Sequence, residues 1–121
     1  MEYTSFETIH STVTPGVSYT IAKMSFGRRV ELTRRIRDLA ARKEFVEAGD
    51  TANEKMEAAL LASEIDRIYL LWGLKEVAGL ELDGLPASPE SLVASGPEEL
   101  FREALAAVKQ QCGLSEAERK N

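Results

Sequence analysis

Read for its hydrophobic and polar positions alone, the chain has a short alternating opening followed by a helical remainder. Val17, Tyr19 and Ile21 alternate with Ser18, Thr20 and Ala22, the period of two expected of a strand with one buried face. Thr4, Phe6, Thr8 and Ile9 are strand-type residues too, and Thr14-Pro15-Gly16 between the two stretches is turn chemistry. The pattern predicts a strand over 17–23 paired with a weaker strand over 4–12; the alternative for residues 1–12 is a disordered lead-in.

From Ser25 the period lengthens to that of a helix. Ser25 is placed as an N-cap, and Leu32, Ile36, Leu39, Ala40 and Val46 fall on one stripe of a helix running to about residue 48. Gly49 is expected to follow as a left-handed terminating residue. On the polar side Glu31 can reach Arg34 and Arg35, and Asp38 can reach Arg42. Thr51-Ala52-Asn53-Glu54 then matches a capping box and opens a second helix, predicted over 54–78.

Leu61, Ile65, Ile68 and Trp72 make one seam of that second helix, and Leu60, Leu71 and Leu74 widen it to nearly every side. So broad an apolar surface predicts burial on several faces or against a partner. Gly73, which costs about 1 kcal/mol in a helix interior relative to Ala, implies close packing or a bend. Joined by a short capped turn, the two helices should form an antiparallel hairpin.

Gly79 ends this second helix in the pattern. Residues 80–87 read as a miniature hairpin about Asp83-Gly84, limited by Pro86 to an edge or a bare turn. Ser88-Pro89 starts a short helix to about 94, and Gly96-Pro97 starts a last one over 97–112. Leu100, Ala104, Leu105 and Val108 are the buried face of that helix, and Gly113 closes it. Ser115-Glu116-Ala117-Glu118 has the form of one more cap, within a polar stretch, 114–121, read as a frayed tail. The fold class is therefore mainly α: an N-terminal strand or hairpin, an antiparallel helical hairpin, and one or two shorter C-terminal helices, in a single domain over 1–121.

Composition narrows the function. At 121 residues the chain fits one domain, and 29% charged residues with no long apolar run argue against a membrane span. The first twenty residues lack the basic and apolar segments of a secretory signal, so a cytoplasmic protein is expected. A single cysteine, Cys112, and a single histidine, His10, give no disulfide, metal site or histidine relay. Cys112 reads as a small apolar residue at a helix end and His10 as an exposed strand or loop residue. Glu98-Glu99 suits a helix N-terminus, and Glu64 and Asp66, two apart on a helix, point in different directions. There is no phosphate loop, dinucleotide fingerprint, zinc motif or nucleophile elbow. No enzyme, cofactor or metal is expected.

Charge changes the picture more. The net −5 conceals a segment, 23–43, with eight bases against two acids, followed by 44–121 with seven bases against sixteen acids. Arg28, Arg29, Arg34, Arg35, Arg37 and Arg42 are the candidate binding residues of the first helix, for an acidic protein partner or for phosphates. They are spread around the helix with no aromatic residues between them to stack bases. A solvated face, or contact with the acidic remainder of the same chain, is the plainer use. Tyr69 and Trp72 at i,i+3 are the other candidates; such a pair anchors an interface or, more commonly, fills a core.

The order of parts carries a resemblance. VTPGVSYTIAKMS leads into FGRRVELTRRIRDLAARKEF, then EIDRIYLLWGLKEVAGLELDG, a helix opened by GPEEL, and the tail CGLSEAERKN. This arrangement, over about residues 13–121, resembles small proteins of tailed bacteriophages and prophages, most of all the tail assembly chaperones of long-tailed phages. The resemblance implies a non-enzymatic protein in the cytoplasm of a bacterial host. It would bind the aggregation-prone tape measure protein, help tail tube subunits assemble around it, and be absent from the finished virion. It transfers no functional residue position by position. A nucleic-acid-associated protein and a structural virion component are the alternatives, and a homo-oligomer is compatible with each.

Overall fold

The Thr14-Pro15-Gly16 turn folds the chain back on itself, with Gly16 at φ 91° and the Val17 amide donating to the Thr14 carbonyl at 3.2 Å. In the computed structural model, which describes residues 1–113, this turn joins β1 (Phe6–His10) to β2 (Ser18–Ala22). The two pair antiparallel from Phe6↔Ala22 to His10↔Ser18, so the weaker opening stretch is a strand. Alternation along β2 puts Tyr19 and Ile21 wholly inside and leaves Ser18 and Thr20 half-buried on the other face.

Ser25 caps α1 (Phe26–Glu47), its hydroxyl accepting from the Arg28 amide. Thr51 opens α2 (Ala52–Gly73) with the expected reciprocal capping box to Glu54. Gly49 differs from expectation: it is not left-handed. A Cβ there would lie 1.9 Å from a Glu54 carboxylate oxygen, so the glycine makes room for the capping side chain.

Helix α1 packs chiefly on α2. Of its expected apolar stripe only Leu32 is buried; Ile36, Leu39 and Val46 are half-buried and Ala40 is exposed. Full burial of a leucine contributes about 1.5–3 kcal/mol, so α1 is anchored by little more than one such residue. Helix α2 has neighbours along its C-terminal half, against α3 and α4 as well as α1.

The second helix is shorter than its pattern predicts. It stops at Gly73, and Leu74–Ala78 form β3, antiparallel to β2, giving a three-stranded sheet in the order β1-β2-β3. Leu74 and Val77 point into the core, with a register irregularity opposite Thr20/Ile21. Gly73 serves close packing: a Cβ would stand 2.5 Å from Val108 Cγ1. Gly79 therefore ends a strand, and at φ 79° it lies so near the Gly16 carbonyl that a Cβ would stand 2.0 Å from that oxygen.

β4 (Glu81–Leu82) and β5 (Leu85–Pro86) make the small hairpin, with Asp83 and Gly84 both at positive φ. Ser88 caps α3 (Pro89–Ser95), and α4 (Glu98–Gln111) follows. Leu100, Ala104, Leu105 and Val108 of α4 are all buried, in a core shared with Tyr19, Ile21, Leu70, Trp72, Leu74 and Leu92. The further cap at Ser115 and the expected frayed tail lie outside the described residues.

Candidate interaction surface

Among the described residues α1 packs chiefly on α2, so most of its arginines face outward, and each has a definable setting. Arg28 is half-buried, its guanidinium 5.5 Å from the Phe6 ring centre and 6.0 Å from that of Trp72. Arg35 pairs with Glu31 at 2.8 Å, Arg37 contacts Asp38 at 3.5 Å, and Arg42 reaches Glu57 of α2 at 3.6 Å. These pairs are exposed and each is worth under about 1 kcal/mol. Arg29 and Arg34 have no carboxylate within 4.0 Å among the described residues. Among the described residues, the acidic stretch from 44 onward meets the basic part of this helix only through Glu47, which pairs with Lys43, and Glu57, which pairs with Arg42.

Arg29, Arg34 and Arg37 share one side of α1 with Val30 and Thr33, around a shallow hollow of about 320 Å³. Phe26, 87% exposed, continues that side toward the helix N-terminus. The six candidate arginines thus divide: Arg29, Arg34 and Arg37 border an outward hollow, whereas Arg28 and Arg35 line a different one of about 600 Å³ with Gly27, Leu71, Trp72 and Lys75. Arg42 stands near the tip of the helical hairpin, beside Phe45 and Glu57.

Tyr69 and Trp72 are 8% and 6% exposed and belong to the core. Helix α4 covers Tyr69, with Lys109 lying 5.5 Å from its ring centre and 2.8 Å from Asp66. Trp72 sits where α2 meets the sheet and Val108 nearby fills the space that Gly73 leaves. The Trp72 indole nitrogen is buried without an acceptor among the described residues.

Three exposed apolar side chains are not marked by the sequence pattern, Phe26, Phe45 (82% exposed) and Met56, whereas Leu60, expected on the broad apolar surface of the second helix, is also exposed. Their only signal is position, since Phe26 and Phe45 fall outside the Leu32–Ile36–Leu39 stripe and therefore off the face turned to α2. Phe45 and Met56 lie toward the free end of the hairpin.

Glu103 of α4 accepts from Ser11 Oγ at 2.5 Å, Thr12 N at 2.8 Å, Thr12 Oγ1 at 2.9 Å, Val13 N at 3.3 Å and Tyr19 Oη at 2.9 Å. Burial alone would raise its pKa, but the hydrogen bonds from Ser11, Thr12 and Tyr19 outweigh it and hold the carboxyl down to about 2. Burial, and then the bond to Glu103, push Tyr19 up to about 12. Burial also raises the Cys112 thiol, partly offset by the charges of Arg29 and Lys109. No group of three His, Cys, Asp or Glu among the described residues is placed to hold a metal. No described helix is long and apolar enough to cross a membrane.

Comparison with protein-family models, characterised proteins and solved structures found no match.

Proposed function

We propose that the chain is a non-enzymatic protein-binding factor that takes a helical client along the outward side of α1, in the manner of a phage tail assembly chaperone. One observation carries this reading. A 22-residue helix, held among the described residues chiefly by α2, presents Phe26 and Val30 beside Arg29, Arg34 and Arg37. Apolar and basic groups so interleaved suit an amphipathic segment whose apolar positions are flanked by acids. Shielding such segments until assembly is what a tape measure protein would need from its chaperone, in the cytoplasm of the bacterial host.

The test is fluorescence anisotropy against overlapping peptides tiled along tape measure proteins of long-tailed phages. Binding is expected to favour acidic amphipathic segments and to weaken at least tenfold in the Arg34→Glu/Arg37→Glu variant. No binding to any peptide, or binding that the charge reversal leaves unchanged, would sink the proposal.

A second reading has one observation in its favour, the absence of a carboxylate within 4.0 Å of Arg29 or Arg34 among the described residues. Unpaired arginines of this kind could meet phosphates. Nucleic-acid binding would then fall steeply from low to moderate salt, and no binding to DNA or RNA at low salt removes this alternative.

A further inference from the structure

We infer that this chain forms a two-fold dimer in which α1 of one copy lies antiparallel on α1 of a second, through a stripe distinct from the client side. Residues Arg28, Glu31, Arg35, Asp38, Arg42 and Phe45 follow one another at alternating spacings of three and four, the spacing that keeps a seam facing a neighbouring helix. All but Arg28 are exposed, and Phe45 projects at 82% exposure.

An isologous contact requires a surface complementary to itself under a two-fold rotation. Antiparallel pairing about a point midway between Arg35 and Asp38 meets that requirement at every position of the stripe. Arg35 falls opposite Asp38 of the second copy, Glu31 opposite Arg42, and Arg28 opposite Phe45. Two kinds of ion pair and a cation–π contact each occur twice. A two-fold centred instead on the neighbouring stripe, midway between Arg34 and Arg37, sets these two arginines against each other, so that stripe is not self-complementary about its own centre.

Shape agrees with charge. The 600 Å³ hollow lined by Arg28, Arg35, Leu71 and Trp72 lies at the base of the hairpin, where Phe45 of the second copy arrives. A 22-residue helix is about 33 Å long, and helices pack about 8–10 Å apart. The α1 pair alone thus covers roughly 300 Å² per copy, and the flank of α2 beside it must supply the rest of the roughly 800 Å² per partner of a standard interface. Leu60 of α2, 66% exposed, adds apolar surface to the same hairpin.

The experiment is sedimentation velocity on the full chain at tens of micromolar concentration, with two exposed charge variants. The Arg35→Asp chain carries acids at both central positions, and the Asp38→Arg chain bases at both. Each is expected to be monomeric by itself, with at least a tenfold weaker dimer than wild type. Mixed in equal amounts, the two should re-form a dimer, because opposite charges then meet in both central contacts. Circular dichroism on each variant monitors helix content, and recovery in the mixture itself requires folded chains. A monomeric wild type, a dimer indifferent to both substitutions, or a mixture that stays monomeric would each overturn the inference.

Discussion

Glu103 ties the turn after β1 to the first half of α4 with five hydrogen bonds, and its ionised form is what those donors require. Its pKa lies near 2, below the ordinary carboxyl value of 4.5. A depressed carboxyl contributes stability that is fully present above its unfolded pKa and is lost as pH falls through the folded one. Glu103→Gln should therefore cost about 1–3 kcal/mol at neutral pH. The gap in Tm between wild type and variant should narrow as pH falls from about 5 toward 2. Thermal unfolding followed across that range checks both, and a gap independent of pH would contradict the assignment. No sequence signal marks Glu103, because its partners stand 84 to 92 residues away and nothing local distinguishes it from other acids of α4. The sequence leaves Gly73 between close packing and a bend, and its contact with Val108 decides for packing. Gly73→Ala should destabilise by about 1–3 kcal/mol through overpacking, and Val108→Ala in the same chain should return part of that loss, read by denaturant unfolding.

Among the elements, those set by local chemistry were readable and the one set by distant pairing was not. Ser25, Thr51 and Ser88 each cap the helix that their sequence announces, and Asp83-Gly84 turns the hairpin that its dihedral freedom allows. Strand β3 was hidden because Leu71, Leu74 and Val77 continue the helical spacing of α2, while Leu74 and Val77 as strand residues give only a five-residue signal. Its pairing with β2, more than fifty residues earlier, decided the matter. The apolar stripe of α1 was legible as a stripe, but its shallow burial was not, since periodicity says which face turns inward and not how much protein waits there. With Leu32 as its one buried residue, α1 should open at lower free energy than β2 or α4. Hydrogen exchange is expected to show weaker protection along Phe26–Glu47 than along Glu98–Gln111. Equal protection in the monomeric Asp38→Arg chain would mean that α1 is held by more than its contacts with α2.

In the whole molecule the segregated charge acquires a geometry. The basic segment occupies one helix whose arginines divide between two sides, Arg29, Arg34 and Arg37 on one and Arg28 and Arg35 on the other. The two sides differ in a way that composition does not reveal. Among the described residues, one has no carboxylate beside Arg29 or Arg34 and calls for acids from elsewhere, whereas the other alternates Glu31 and Asp38 with arginines and can be satisfied by a second copy. If both proposals hold, the functions of the helix separate by side chain. Arg34→Glu/Arg37→Glu should abolish binding of acidic amphipathic peptides and leave the sedimentation coefficient at the dimer value. Arg35→Asp should do the reverse, giving a monomer that still binds peptide with an affinity within a few fold of wild type. Anisotropy and sedimentation on the same preparations read both outcomes together. Loss of both properties in either variant would mean that a single surface serves client and second copy in turn, so that client binding competes with dimerisation.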